Sequence, residues 1–220
     1  MDTSRDSVLP HPIPPLGRAS KRAIDLVFAI VGILALGWLM FAAWLIATVD
    51  TGCNGLFLQV RVGRDGKTFR VMKIRTMRVC PEIVTTVTTS TDARITQIGR
   101  LLRLSRVDEL PQLLNVLVGD MSLVGPRPDV TGWADRLVGD DRVILRIRPG
   151  VTGPATLHFR DEARLLSEQP DPERFNREVI WPEKVRLNRE YLRTWSLWKD
   201  LRIIARTLIP GSASFRGRTR

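Results

Sequence analysis

Apolar and polar positions divide the chain into segments of different character. Residues 1–17 hold four prolines and no helical periodicity, which predicts a disordered leader. Residues 26–49, LVFAIVGILALGWLMFAAWLIATV, carry no charge. As a straight helix they would span about 36 Å, enough for a bilayer core of about 30 Å. Residues 57–77 alternate, and Asp65-Gly66 marks a tight turn, so this stretch reads as a β-hairpin. Phe69, Val71, Lys73 and Arg75 share one face of its second strand. Residues 78–91 are rich in Thr and Val and read as a loop, a candidate mobile cover. Asp92 is positioned to cap a helix with Ile95, Ile98, Leu101 and Leu102 on one side and Arg94, Arg100, Arg103 and Arg106 on the other. Leu110, Leu113, Leu114 and Leu117 repeat at the spacing of one buried helix face, ending near Gly119. Residues 133–148 read as a linker and helix, followed by a rigid turn from Arg148 to Pro154. Leu187, Tyr191, Trp195 and Trp198 keep helical spacing, which suits either a membrane-interface helix or core packing. The tail after Pro210 is basic and rich in small residues.

At 220 residues the chain supports one domain of moderate size, and its formal charge of +11 points to a polyanionic partner. Nucleic acid is disfavoured, because one Tyr and seven Phe give little to stack bases on and a long apolar segment is present. Anionic lipid or a phosphorylated substrate remains. Cys53 and Cys80 form no metal or disulfide pattern and fit a reducing compartment; His11 and His158 are too scattered for zinc. The apolar segment is too long for a cleaved signal peptide. Arg18, Lys21 and Arg22 precede it, and Arg61, Arg64, Lys67, Arg70, Lys73, Arg75 and Arg78 follow it, with Asp65 the one acid among them. The positive-inside rule places both flanks on the cytoplasmic face, which a re-entrant helix satisfies and a straight span does not.

The chemistry concentrates between Arg103 and Asp129. Asp108 and Glu109 form an adjacent carboxylate pair at the start of the leucine-rich helix, with Pro111 in its first turn and Asp108 or Ser105 as its cap. Eighteen residues on, Arg127 stands between Pro126 and Pro128, which restrict its backbone and preorganise it for phosphate. Carboxylates hold a divalent cation or attack an electrophile; a rigid arginine grips phosphate. Metal-assisted phosphoryl chemistry is the reading these residues favour. A capped helix followed by a structural turn is the bland alternative.

These residues carry a resemblance. The sequence is similar to the bacterial sugar transferases, the monotopic polyprenyl-phosphate phosphoglycosyl transferases. The shared residues are Lys21-Arg22 with Asp25, Arg61-Val62-Gly63, Lys73 to Met77, Arg94-Ile95-Thr96, Ile98-Gly99-Arg100, Asp108 to Gln112, Asn115-Val116, Met121 to Pro128 and Arg148 to Gly153. They cover roughly residues 20 to 210. The resemblance implies transfer of a sugar-1-phosphate from a nucleotide diphosphate sugar, expected to be a UDP-sugar, to polyprenyl phosphate, initiating surface glycan or exopolysaccharide synthesis. Asp108 is the expected nucleophile, forming an aspartyl-phosphosugar intermediate. Asp108 and Glu109 would hold Mg²⁺, with Glu109 positioning the metal or handling protons. Lys73, Arg103 and Arg127 would bind substrate phosphates. The stretch from Phe159 to Glu162 resembles one subgroup and is expected to bear on sugar or nucleotide specificity. Many relatives carry Asp where Asn188 stands. Relatives also break the membrane helix with Ser-Pro, where this chain has Gly37-Trp38; Gly37 permits a bend without imposing one.

The expected fold is therefore α+β: a compact α-rich domain with a small β-hairpin and an N-terminal re-entrant membrane helix. Its expected divisions are a leader (1–17), a membrane-inserted helix (18–50), a catalytic domain with interfacial helices (51–210) and a basic tail (211–220). The chain would be the short catalytic form, on the bacterial inner membrane and facing the cytoplasm. Asp25 is expected to pair with Lys21 or Arg22. A membrane-bound nucleotide-sugar phosphatase and a non-catalytic membrane-anchored binding protein are the rival functions.

Overall fold

The computed structural model describes residues 12–80 and 88–208. The early leader, the middle of the Thr-rich loop and the basic tail lie outside these residues. Among the described residues, eight α-helices and two small sheets pack around one main core. The long helix α1 (Pro15–Thr51) comes first, with proline in its first turn, where the missing N–H costs nothing. It starts inside the expected leader, and Ile13 just before it is buried in the core. It ends on Gly52, whose φ of 66° closes the helix by donating to the Thr48 carbonyl.

Helix α1 is continuous through Gly37-Trp38, so the expected helix–break–helix is not the shape of this segment. Nothing forces a bend there: no proline follows Pro15 within the helix, and no atom lies within 4 Å of where a Gly37 side chain would be. Helix α1 also does not leave the domain. Lys21, Asp25, Ala29, Ala43 and Ala47 are all buried, a stripe along one side. Gly32 falls on the same stripe, close against Leu113. Val31, Leu34, Trp38, Phe41 and Val49 on the remaining surface are exposed. A helix of about 55 Å with contacts near both ends lies along the domain.

The charged start of α1 fastens it. Lys21 Nζ pairs with Asp200 Oδ2 at 2.7 Å. Asp200 also accepts from the Tyr191 hydroxyl (2.6 Å) and Trp195 Nε1 (3.1 Å), so this buried carboxylate is fully engaged. Asp25 makes no hydrogen bond with Lys21 or Arg22, but the Lys21 charge acts on it as expected, and its Oδ1 accepts from the Leu123 N–H at 3.0 Å. Arg22 instead donates to the Val116 and Leu117 carbonyls. Tyr191 is a core residue and Trp195 is partly buried against the same core, so their spacing reflects packing. Trp198 is exposed.

The predicted hairpin forms from β1 (Leu56–Val62) and β2 (Thr68–Ile74), antiparallel with Leu56 opposite Ile74. Asp65 and Gly66 both take positive φ in its loop. Arg75 leaves the Lys73 face: its guanidinium donates to the Asn54 carbonyl and sits over the Phe57 ring. The second helical segment, α2 (Gln97–Leu104), is capped by Thr96, which accepts from the Gly99 N–H. Asp92 does not cap it and pairs with Arg94 at 2.7 Å. The stretch 133–148 holds only short 3-10 segments, Ala134–Arg136 and Gly139–Arg146.

Helix α3 (Gln112–Val118) reverses the expected burial. Gln112, Asn115 and Val116 are buried, while Leu113 meets α1 and Leu117 is exposed. The apolar surface of α1 takes over where a core would have covered the leucines. The fully buried Asn115 amide acts as a clamp. Its Oδ1 accepts from the Met72 N–H at 2.9 Å, and its Nδ2 donates to the Arg70 carbonyl at 2.8 Å. Those two groups form the outer edge of β2, so one side chain completes the strand's pairing and fixes the hairpin to α3.

Replacing Asn115 with Ala leaves a buried N–H and a buried carbonyl unpaired. The expected loss is about 2–4 kcal/mol, read as a lowered denaturant midpoint. Asn115→Asp, which keeps the acceptor but loses the donor, is expected to destabilise as well. A midpoint equal to wild type for both variants contradicts the clamp.

Candidate active site

The dyad lies on a single 3-10 turn, Val107–Glu109, between α2 and α3. Ser105 ends α2 by donating to the Leu101 carbonyl. Arg106 then takes φ of 59°, a left-handed conformation that turns the chain sharply. Pro111 is the N-cap of α3, so Asp108 precedes the helix and does not cap it. Val107 packs on Ala43, Ala47 and Ile74, which seats the turn between α1 and the hairpin. Asp108 is only 7% exposed as a result. Its Oδ1 is buried and accepts no hydrogen bond among the described residues. Burial, then the charge of adjacent Glu109, pushes the Asp108 carboxyl up to about 6, although Lys73, Arg103 and Arg127 oppose the rise.

Glu109 has the opposite environment. It forms an ion pair with Arg127, and Lys73 Nζ and Arg106 Nη1 each lie 3.9 Å from its oxygens. Burial favours its neutral form, but Arg127 and Lys73 outweigh it and hold the carboxyl down at about 2. Lys73 is pulled down to about 8 by burial and by Arg127, against the attraction of Glu109. Glu109 raises Arg127 above its ordinary range. Two neighbouring carboxylates thus differ in kind: Asp108 is basic and unsatisfied, and Glu109 is a permanent anion that aims cations.

Arg127 is held by backbone packing. Strand β3 (Ser122–Val124) pairs in parallel with β4 (Gly150–Thr152). The Gly125 N–H donates to the Thr152 carbonyl, and the Gly150 N–H to the Pro126 carbonyl. A side chain on Gly150 would fall 2.1 Å from the Gly125 nitrogen, so the two turns approach closer than any other residue allows. The Arg148–Pro154 turn therefore serves as the seat of the arginine loop.

Of the five expected residues, Lys73, Glu109 and Arg127 meet directly, and Asp108 stands within reach of the charges of Lys73 and Arg127. Arg103 flanks them; its Nε donates to Thr76 Oγ1 at 2.9 Å, and its charge acts on Asp108. Burial lowers its affinity for its proton. Arg106 completes the set. The sequence places it on the basic side of α2 without giving it a role, and its left-handed backbone lies at the turn that brings it to Glu109. No group of three or more His, Cys, Asp or Glu suited to a metal occurs among the described residues. Asp108, with its orphaned oxygen, fits an oxygen-liganded cation that keeps water and phosphate as its other ligands. Glu109, neutralised by three cations, fits that role poorly.

Residues 16–212 match the family model described as bacterial sugar transferase. The chain is 33% identical over 205 residues to the UDP-glucose:undecaprenyl-phosphate glucose-1-phosphate transferase of Escherichia coli, covering 91% of this chain and 42% of that protein. It is 36% identical over 208 residues to the protein of the same name from Caulobacter vibrioides, covering 90% and 73%. It is 33% identical over 221 residues to the exopolysaccharide production protein ExoY of Sinorhizobium fredii, covering 93% and 90%. The chain thus spans about two fifths of the first relative's length and most of the other two.

Because the folded state raises Asp108, its ionisation opposes folding. The stabilising preference for the proton is full below pH 4 and is lost as pH rises through about 6. Asp108→Asn is therefore expected to gain about 2 kcal/mol relative to wild type between pH 4 and pH 8. Thermal melts at the two pH values read this directly; an equal offset at both would contradict the burial of a charged Asp108.

Proposed function

The chain belongs to the bacterial sugar transferase family, and on that premise we propose that it transfers a sugar-1-phosphate from a UDP-sugar to polyprenyl phosphate. The observation that carries this reading is Asp108: a buried carboxylate with an orphaned oxygen, ringed by cations, on a turn packed against the apolar helix α1. Such a group is suited to attack phosphorus next to a lipid surface.

In the first step an Asp108 oxygen attacks the phosphorus that carries the sugar. An aspartyl–phosphorus bond forms, the bond to the bridging oxygen breaks, and UMP leaves with that electron pair. In the second step an oxygen of polyprenyl phosphate attacks the same phosphorus and returns the Asp108 carboxylate. Lys73, Arg103 and Arg127 neutralise the phosphate oxygens in both steps. Glu109, held near 2, carries no proton at neutral pH and acts by orienting Arg127 and Lys73. Mg²⁺, bound through Asp108 and the substrate's own phosphates, would supply charge neutralisation of the diphosphate.

The acceptor sets the location. Besides the exposed apolar face of α1, Leu101 and Leu104 of α2 and Leu58 and Val60 of β1 are exposed. We place this face in the cytoplasmic leaflet of the inner membrane, with the nucleotide sugar arriving from the cytoplasm. The product would begin surface glycan or exopolysaccharide assembly.

With Mg²⁺, undecaprenyl phosphate and a panel of UDP-sugars, purified protein is expected to release UMP repeatedly only when lipid and one matching sugar are both present; without lipid the first step alone gives a single stoichiometric burst. Asp108→Asn is expected to lower that rate by about 10³-fold or more. Glu109→Gln is expected to cost about 10²-fold through misplaced Arg127. Repeated turnover of UMP without lipid points to a phosphatase, and release unaffected by Asp108→Asn removes the covalent route.

The two shifted groups bracket the active pH range. Asp108 must be ionised and Lys73 protonated, so kcat/KM is expected to rise through about 6 and fall through about 8. Lys73→Arg is expected to remove the alkaline fall. A flat profile between pH 5 and 9 contradicts this assignment.

A further inference from the structure

Glu109 gathers three cations that are held in different ways. Arg127 spans both carboxylate oxygens, with Nη1 3.4 Å from Oε2 and Nη2 donating to Oε1. Lys73 approaches Oε1 and Arg106 approaches Oε2, each at 3.9 Å. At that distance Arg106 is paired by charge and not by a hydrogen bond. Its guanidinium makes one hydrogen bond among the described residues, from Nη2 to the Arg160 carbonyl at 3.2 Å. One of its five N–H groups is used in this way. Its side chain is 48% exposed, against 30% for Arg127 and 22% for Lys73. Arg106 is thus the outermost and most loosely held of the three.

Position 106 is an unfavourable place for an arginine. Its φ of 59° lies in the left-handed region, where glycine or asparagine fits with less strain. The turn requires that backbone but not a guanidinium. A half-exposed pair at 3.9 Å adds little to stability, and Glu109 is already held by Arg127 and Lys73. The side chain is therefore explained by a ligand better than by the fold. Its chemistry, a planar fork with unused N–H groups beside a phosphate site, suits a phosphate. Lys73, Arg103 and Arg127 are the cations whose charges act on Asp108, so they serve the phosphorus under attack. A diphosphate brings a second phosphate, and Arg106 is the cation left for it.

We propose that Arg106 binds the phosphate monoester that stands opposite Asp108 across the reacting phosphorus. This rests on the phosphoglycosyl transfer proposed above. In the first step that phosphate belongs to UMP, which takes the electron pair of the broken bond and gains a negative charge that Arg106 neutralises. Attacking and leaving oxygens lie in line at phosphorus, so the second nucleophile enters where UMP departed. The phosphate of the polyprenyl acceptor then occupies the same place. To reach either ligand the guanidinium gives up only its loose approach to Glu109, which Arg127 and Lys73 keep neutralised.

Arg106→Gly removes the side chain and suits the left-handed backbone, so it is expected to fold; Arg106→Asn replaces it if thermal melts show otherwise. Titration calorimetry with UMP and uridine isolates the phosphate. UMP is expected to weaken about tenfold or more in Arg106→Gly and less in Arg106→Lys, while uridine is unchanged. Two single-turnover rates then separate the users of the site: the UMP burst without lipid, and the chase of that protein with undecaprenyl phosphate. Both are expected to slow about tenfold or more in Arg106→Gly; a slowed burst with an unchanged chase assigns Arg106 to the nucleotide phosphate alone. UMP affinity equal to wild type, an equal loss of UMP and uridine, or no UMP binding by wild type overturns the proposal. Weakened UMP binding in a protein that releases UMP from no UDP-sugar leaves the phosphate site standing and removes the transfer reaction instead.

Discussion

The Asn115 amide is the contact on which the site's geometry depends. A two-stranded hairpin is marginal alone, and β2 presents unpaired backbone groups on its outer edge. Asn115 supplies a donor and an acceptor in the spacing of a further strand, while its backbone carbonyl receives the N–H groups that end α3. One residue therefore sets where Lys73 stands relative to the turn carrying Asp108 and Glu109. Without that register the lysine would be a solvated cation on a small sheet.

Around this frame the site gathers charge in little water. Asp108 and Glu109 are neighbours in sequence and are driven in opposite directions, one up by burial and one down by three cations. The Glu109 anion allows Lys73, Arg106 and Arg127 to sit together without a substrate. When phosphate oxygens arrive, the same cations are already placed, and little reorganisation is needed. The unsatisfied oxygen of Asp108 is a standing cost to stability, of the kind that functional sites retain.

The hairpin, the arginine loop, the leucine-rich helix ending at Gly119 and the dyad were all legible in sequence, because turns, prolines and periodicity are local signals. So was the dominance of helix in the fold. Three features were not. The shape of α1 depends on a packing stripe of Ala29, Gly32, Ala43 and Ala47, which only the folded domain gives meaning. The burial of Gln112 and Asn115 in place of leucines depends on that same helix supplying an apolar neighbour. Arg106 joins the site through one left-handed residue, and arginine carries no local signal for that conformation. The sequence could name Asp108 and Glu109 but could not divide their labour, since that depends on which cations fold against each.

Helix α1 touches the domain near both ends, and the residue before Asp108 packs on its far half. A spanning anchor transmits every change in bilayer thickness into tilt, and a domain on its end would rise and fall with it. A helix laid along the domain has no such lever. With its outer face on lipid as proposed above, Asp108 would keep one depth relative to the headgroups, whatever the length of the acyl chains. The enzyme would then meet its lipid phosphate at the same level in thin and thick membranes, insensitive to hydrophobic mismatch.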